Sequence, residues 1–280
     1  MSSPLAPPAQ HAPDDGAAPP DRPAATRPGP RRSRVRCVLV TVALALLGLL
    51  VVAVAAFLVW ADDTFPAEPA GLAAVQEDPR VRLDDRGDVV VLRPAGEGDG
   101  SGLVFLAGAK VEPQAYAATF REVAAQGTTV VLVEPFLHLA LLERRPFEVF
   151  AALAPEVDAW AVGGHSMGGV RACTYAASEE VRALVLLASY CSLGDLSGRS
   201  DLAALTVTGT QDGLVDEESI TSSRALLPPD AERVRIDGAT HAQFGDYGAQ
   251  PGDGTPSISD DDARERITEA LVPFLGSVGR

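Results

Sequence analysis

From Cys37 to Ala61 the chain reads CVLVTVALALLGLLVVAVAAFLVWA, with no charged residue and no polar face. As a helix, those 25 residues would span roughly 37 Å, enough to cross a bilayer with some tilt. Beyond it the pattern breaks into short runs. VRLDD (81–85) and DVVVLRP (88–94) are β-branched stretches around Arg86-Gly87 and predict a hairpin. GLVFLAG (102–108), TTVVLVEP (128–135), DAWAVGGHS (158–166), VRALVLLAS (181–189), LAALTVTGT (202–210) and AERVRIDG (231–238) predict further strands. Between them, residues 113–126, 136–154 with a break at Pro146, MGGVRACTYAAS (167–178), 216–227 and 261–276 predict helices. Strands that are apolar on both sides must be covered on both faces. The expected fold class is therefore α/β: a mainly parallel sheet with an N-terminal antiparallel hairpin and helices on either side.

The same pattern divides the chain. Residues 1–36 are rich in Pro, Ala and Arg and hold no aromatic residue, a composition that cannot offset its own ordering entropy, so disorder is expected there. Residues 37–61 are read as a transmembrane signal anchor, 62–79 as a linker and 80–280 as one globular domain. Arg31, Arg32, Arg34 and Arg36 precede the apolar run and Asp62, Asp63 and Glu68 follow it. The positive-inside rule then puts the tail in the cytoplasm and the domain outside the cell membrane. A cleaved signal peptide is the competing reading, since Ala53-Val54-Ala55 resembles a cleavage site, but signal-peptide cores are shorter, about 7–15 residues. Arg34 does not suit a twin-arginine signal, and Cys37 opens the apolar run where a lipoprotein cysteine would close it.

Charge adds an exclusion. The tail's six Arg and three Asp leave −18 of the chain's net −15 on the remainder. So acidic a domain is not suited to nucleic acid or anionic lipid headgroups. Cys173 and Cys191 are the two cysteines of the domain. One falls on a predicted helix and the other after a strand, so they are expected to stay unpaired.

The chemistry centres on Gly164-His165-Ser166-Met167-Gly168. A G-x-S-x-G match alone is only moderately specific, but this one follows a predicted strand and opens a predicted helix, the setting of a nucleophile elbow. A serine there sits at the positive end of the helix dipole, where a developing oxyanion is favoured. It still needs a base. Of the four histidines, His11 lies in the tail, His165 is the serine's neighbour, and His138 precedes the serine. His241 follows the last predicted strand, at the sheet edge where active sites of open α/β folds gather. Asp212, after the strand 202–210, completes the order Ser…Asp…His, with Asp195 and Asp216 as alternatives. The backbone N–H groups of Met167 and Ala109 are the expected oxyanion hole. Lys110, the single lysine, is read as a solvated loop charge. His138, Glu134 and Glu143 lack metal-ligand spacing, so no metal and no cofactor is expected.

LAGAKVEPQAY, GGHSMGGVRA, LLASYCS, GTQDGL and HAQFGDYGAQPGDGT together resemble the small lidless α/β-hydrolases of the "family 5" type, relatives of dienelactone hydrolase. The resemblance covers roughly residues 80–276. It implies an α/β-hydrolase fold with a Ser–Asp–His triad acting on esters, and leaves the substrate open. Family members tend to carry two glycines before the lysine, whereas Ala109 stands here, which would narrow the site without removing its backbone donor. Phe244, Gly245, Asp246 and Tyr247 also match and are expected to pack the His241 loop. Only 23 residues separate Ser189 from Asp212, and they contain a strand, so no helical cap fits between them. The expected activity is carboxylic-ester hydrolysis of a small-molecule or envelope substrate. Acyl transfer to a cell-envelope acceptor and a non-catalytic binding module are the alternatives.

Overall fold

The computed structural model describes residues 31–278, with the side chains of Arg31 to Ser33 excepted, so the disorder expected for the tail lies, up to residue 30, outside the described residues. The chain divides into two units, Met1–Ala53 and Val54–Arg280. Helix α1 (Arg31–Asp62) supplies the described part of the first, and its apolar side chains from Val35 to Trp60 are exposed. It begins within the arginine cluster, six residues before Cys37, because arginine is a good helix former and no proline intervenes. This helix is long and apolar enough to cross a membrane.

The second unit is built on an eight-stranded sheet in the order β1-β2-β4-β3-β5-β6-β7-β8. Its strands are β1 (Val81–Asp85), β2 (Val89–Pro94), β3 (Ser101–Leu106), β4 (Thr129–Val133), β5 (Ala159–His165), β6 (Val181–Leu187), β7 (Ala203–Gly209) and β8 (Glu232–Ile236). The β1–β2 and β2–β4 pairs are antiparallel, and every pair from β4 to β8 is parallel. The expected hairpin is present, with Asp85 opposite Val90.

Alternation along the central strands sends side chains to two cores. Leu103, Phe105, Val130, Leu132, Val185 and Leu187 face one side, with α3 (Ala117–Ala125) and α7 (Asp260–Leu275) packed there through Phe120, Ile267 and Leu271. Val104, Leu106, Val131, Val133, Leu184 and Leu186 face the other, under α4 (Phe147–Ala151) and α5 (Met167–Tyr175). Fully apolar strands in the sequence are thus strands buried on both faces. Helix α6 (Glu217–Ser223) follows β7, with Asp216 as its N-cap.

Three segments differ from expectation. Residues 136–154 form two 3-10 turns, Phe136–His138 and Ala140–Leu142, and the short α4 instead of a long helix. Glu143, 1% exposed, is the reason: its carboxylate accepts the N–H groups of Phe136, Arg144 and Arg145, which a helix would need turned elsewhere. Residues 62–79, read as a linker, hold α2 (Pro69–Gln76) with Val75 buried, and Phe65 bridges Val111. Cys173 and Cys191, expected to stay apart, form a disulfide with their Cα atoms 5.7 Å apart. Helix α5 lies over the loop that leaves β6, and that overlap brings a helix residue to a loop residue 18 positions later.

Candidate active site

Strand β5 ends at His165 and α5 begins at Met167, so the whole turn between them is Ser166. Its backbone sits at φ 52°, ψ −122°, a left-handed conformation that non-glycine residues avoid and that strand-to-helix elbows impose. Gly168 shows why the motif excludes larger residues. A Cβ there would lie 2.1 Å from the carbonyl oxygen of Leu106 and 2.6 Å from that of Ala107, so α5 rests directly on the end of β3. Ser189, at the end of β6, donates its hydroxyl to the Ser166 carbonyl at 2.6 Å and fixes the elbow from the other side.

His241 and Asp212 meet across 29 residues of sequence: Nδ1 of His241 lies 2.9 Å from Oδ2 of Asp212. Both side chains are buried, at 1% and 4% exposure. The other carboxylate oxygen of Asp212 accepts the N–H groups of Leu214 and Val215 at 2.9 and 2.8 Å, which fixes the carboxylate's orientation. An ionised carboxylate only accepts, so Nδ1 carries the ring proton and Nε2 keeps its lone pair. Among the described residues, neither Nε2 nor the Ser166 hydroxyl has a hydrogen-bond partner, so the serine–histidine contact is open in this structure.

The backbone N–H groups of Met167 and Ala109 are likewise unengaged among the described residues. That of Gly108, one residue earlier, is taken by the Tyr116 hydroxyl at 3.0 Å. Asp195 and Asp216, the alternative acids, are spent locally: Asp195 accepts from Ser197 N–H and hydroxyl, and Asp216 caps α6 through Ser219 N–H. His138 Nδ1 stands 3.4 Å from Glu134, while Glu143 pairs with Arg145 at 2.6 Å, so these three do not converge. Lys110 is not the solvated charge expected. Its side chain is 11% exposed, its Nζ 3.3 Å from Asp63 and against the rings of Trp60 and Phe65. Phe244 and Tyr247 belong to the core, as expected for residues packing the His241 loop.

His165 occupies the most unusual surroundings. It is wholly buried, with its Nδ1 2.9 Å from the Tyr116 hydroxyl and its Nε2 3.2 Å from the His241 carbonyl oxygen. Burial, reinforced by the neighbouring His241, holds its pKa well below the usual 6.5, so it is neutral. Burial likewise pushes the Tyr116 hydroxyl above the ordinary tyrosine range. Sequence reasoning set His165 aside as the serine's neighbour and did not single out Tyr116, Ser189 or Asp253. The Gly252-Asp253-Gly254 run, inside the motif that follows His241, was the available signal.

The profile of the alpha/beta hydrolase family matches residues 102–265 of this chain. No curated protein matches the chain. Among solved structures, the esterase domain of a Rhodothermus marinus protein aligns over 71% of this chain and 99% of its own, with 15% identity and a TM-score of 0.50. A dienelactone hydrolase-like promiscuous phosphotriesterase, P91, from metagenomic libraries aligns over 71% and 98%, with 17% identity and a TM-score of 0.48. An esterase from Pyrobaculum calidifontis aligns over 74% and 88%, with 16% identity and a TM-score of 0.46.

Proposed function

The chain belongs to the alpha/beta hydrolase family, and from that premise we propose that it is a membrane-anchored serine hydrolase cleaving carboxylic esters. The observation that carries the reading is the 2.9 Å contact of His241 Nδ1 with a carboxylate already fixed by two backbone donors. It leaves Nε2 as a free base on the residue whose neighbour in space is the Ser166 elbow; the rings of His165 and His241 are 4.5 Å apart. Nε2 takes the Ser166 proton as Oγ attacks the ester carbonyl, and Asp212 stabilises the imidazolium that results. The carbonyl oxygen becomes an oxyanion between the N–H groups of Met167 and Ala109. Collapse expels the alcohol, which takes the proton from Nε2. Water, deprotonated by the same nitrogen, then releases the acid and frees Ser166.

Three observations support placing the domain outside the cytoplasm: α1, the arginines before it with acids after it, and the Cys173–Cys191 disulfide. The reading is tested by turnover of p-nitrophenyl acetate by the full chain in detergent. Ser166→Ala should lower kcat by roughly 10⁴-fold or more with its unfolding midpoint unchanged. Wild-type turnover by that variant would end the assignment.

A further inference from the structure

His241 is held by its peptide groups as well as by its ring. Its N–H donates to Oδ1 of Asp253 at 3.1 Å, and its carbonyl oxygen accepts from His165 Nε2 at 3.2 Å. The Asp253 carboxylate takes three more backbone donors: Gly213 N–H at 3.0 Å, Ala242 N–H at 2.8 Å and Gly254 N–H at 2.7 Å. One of these follows Asp212 and one follows His241. A single carboxylate thus ties together the two loops that carry the base and its orienting acid.

The loops meet backbone to backbone. A Cβ on Gly213 would lie 2.5 Å from the nitrogen of Gly254, and one on Gly254 would lie 1.8 Å from the carbonyl oxygen of Gln211. Both glycines are needed for Asp253 to reach across. On the other side, the hydrogen-bond chain has a fixed direction. The His241 carbonyl only accepts, so His165 carries its proton on Nε2 and its Nδ1 accepts from the Tyr116 hydroxyl. The Tyr116 oxygen in turn accepts from Gly108 N–H, the residue before the Ala109 donor. That chain therefore runs from the oxyanion loop to the back of His241.

We propose that Asp253 is a positioning residue for His241, gripping its peptide against the buried Tyr116–His165 pair so that the ring meets Asp212 and Ser166 in register. The inference rests on the Ser166–Asp212–His241 reading above. The carboxylate's two oxygens are both needed as acceptors: the amide that Asp253→Asn installs would turn a donor toward one of the four N–H groups. Acceptance of those four bonds holds the Asp253 pKa below the usual carboxylate value, so the grip is ionised at neutral pH.

The test uses the full chain in detergent micelles with p-nitrophenyl acetate as probe. Asp253→Asn should lower kcat by about 10²-fold, the cost of an ångström-scale misplacement, with KM unchanged. The downfield proton signal of His241 Nδ1–H should broaden or vanish with it. Asp99→Asn is the control, since Asp99 also accepts a backbone N–H, that of Ser101, but at the opposite end of β3. It should keep kcat even where its unfolding midpoint falls as far. If Asp253→Asn does not fold, Tyr116→Phe decides, because it deletes one hydroxyl and leaves His165 free to turn its lone pair on the His241 carbonyl. A fall in kcat at constant KM is expected, and unchanged kcat overturns the grip. Retained kcat in Asp253→Asn, or a loss no greater than its change in unfolding midpoint explains, also overturns it. Ser166→Ala and His241→Ala separate the two claims. If both are inactive while Asp253→Asn is not, only the grip fails. If either turns over like the wild type, the triad reading fails and the grip with it.

Discussion

At the scale of single residues, the site is a set of buried polar groups whose protonation is decided by what surrounds them. His165 is the clearest case, with Tyr116, Tyr247, Phe244 and His241 about it and, among the described residues, no carboxylate hydrogen-bonded to its ring. Its pKa is depressed in the folded chain and ordinary in the unfolded one. As pH falls below about 6.5, the unfolded chain binds a proton that the folded chain refuses, so stability drops with a slope approaching about 1.4 kcal/mol per pH unit from this residue. Urea unfolding at about pH 7.5 and about pH 5.5 should therefore show a larger loss for the wild type than for His165→Gln. Equal losses in the two chains would mean that His165 titrates normally in the fold. Ser166, Asp212 and His241, proposed above as nucleophile, acid and base, could be singled out in the sequence because each follows a predicted strand in the order Ser…Asp…His that this fold favours. The residues around them were not. Tyr116 and His165 are 49 positions apart, and Gly213 and Asp253 are 40, so no local pattern joins them.

At the scale of elements, α5 carries two jobs at once. Its first turn presents Ser166 and the Met167 N–H, and its second turn is pinned through Cys173 to Cys191 beyond β6. Closing a loop of that length removes unfolded-chain entropy worth about 3 kcal/mol. Cys173→Ala with Cys191→Ala should lose about that much in urea unfolding under oxidising conditions, and reduced wild type should match the double variant. A double variant as stable as the oxidised wild type would show that the bond is not formed in solution. The strands of the domain were readable from apolar runs, and their bounds differ from the structure by a few residues at most. The 136–154 segment was not readable, because its apolar positions fit a helix while a buried Glu143 claims the backbone donors instead. The Cys173–Cys191 pairing failed for a related reason: whether a helix overlies a particular loop is a fact of packing, absent from either segment alone.

At the scale of the whole molecule, an apolar helix precedes an acidic, disulfide-bonded domain, and the arrangement makes a topological prediction. Protease added to intact cells should remove an epitope at the C-terminus and spare one at the N-terminus. Protection of the C-terminal epitope would place the domain in the cytoplasm and leave the disulfide without an oxidising compartment. The segment after the helix is no passive spacer either. Phe65 donates its N–H to the Lys110 carbonyl and accepts from Glu112 N–H, so the stretch that follows the helix braces the loop bearing Ala109. The α/β class, the antiparallel start of the sheet and the absence of room for a cap all followed from element order and spacing. The brace did not, since it is made of backbone hydrogen bonds from Phe65 to Lys110 and Glu112, residues far along the chain that no local pattern in 62–79 points to.

All of the chemistry proposed for this site depends on an activated serine at position 166. It is tested most directly by treating the full chain in detergent with a fluorophosphonate probe and mapping the adduct by peptide mass spectrometry. The prediction is a single labelled site at Ser166 that disappears in His241→Ala. A folded chain that takes no label, or takes it equally well without His241, would contradict it.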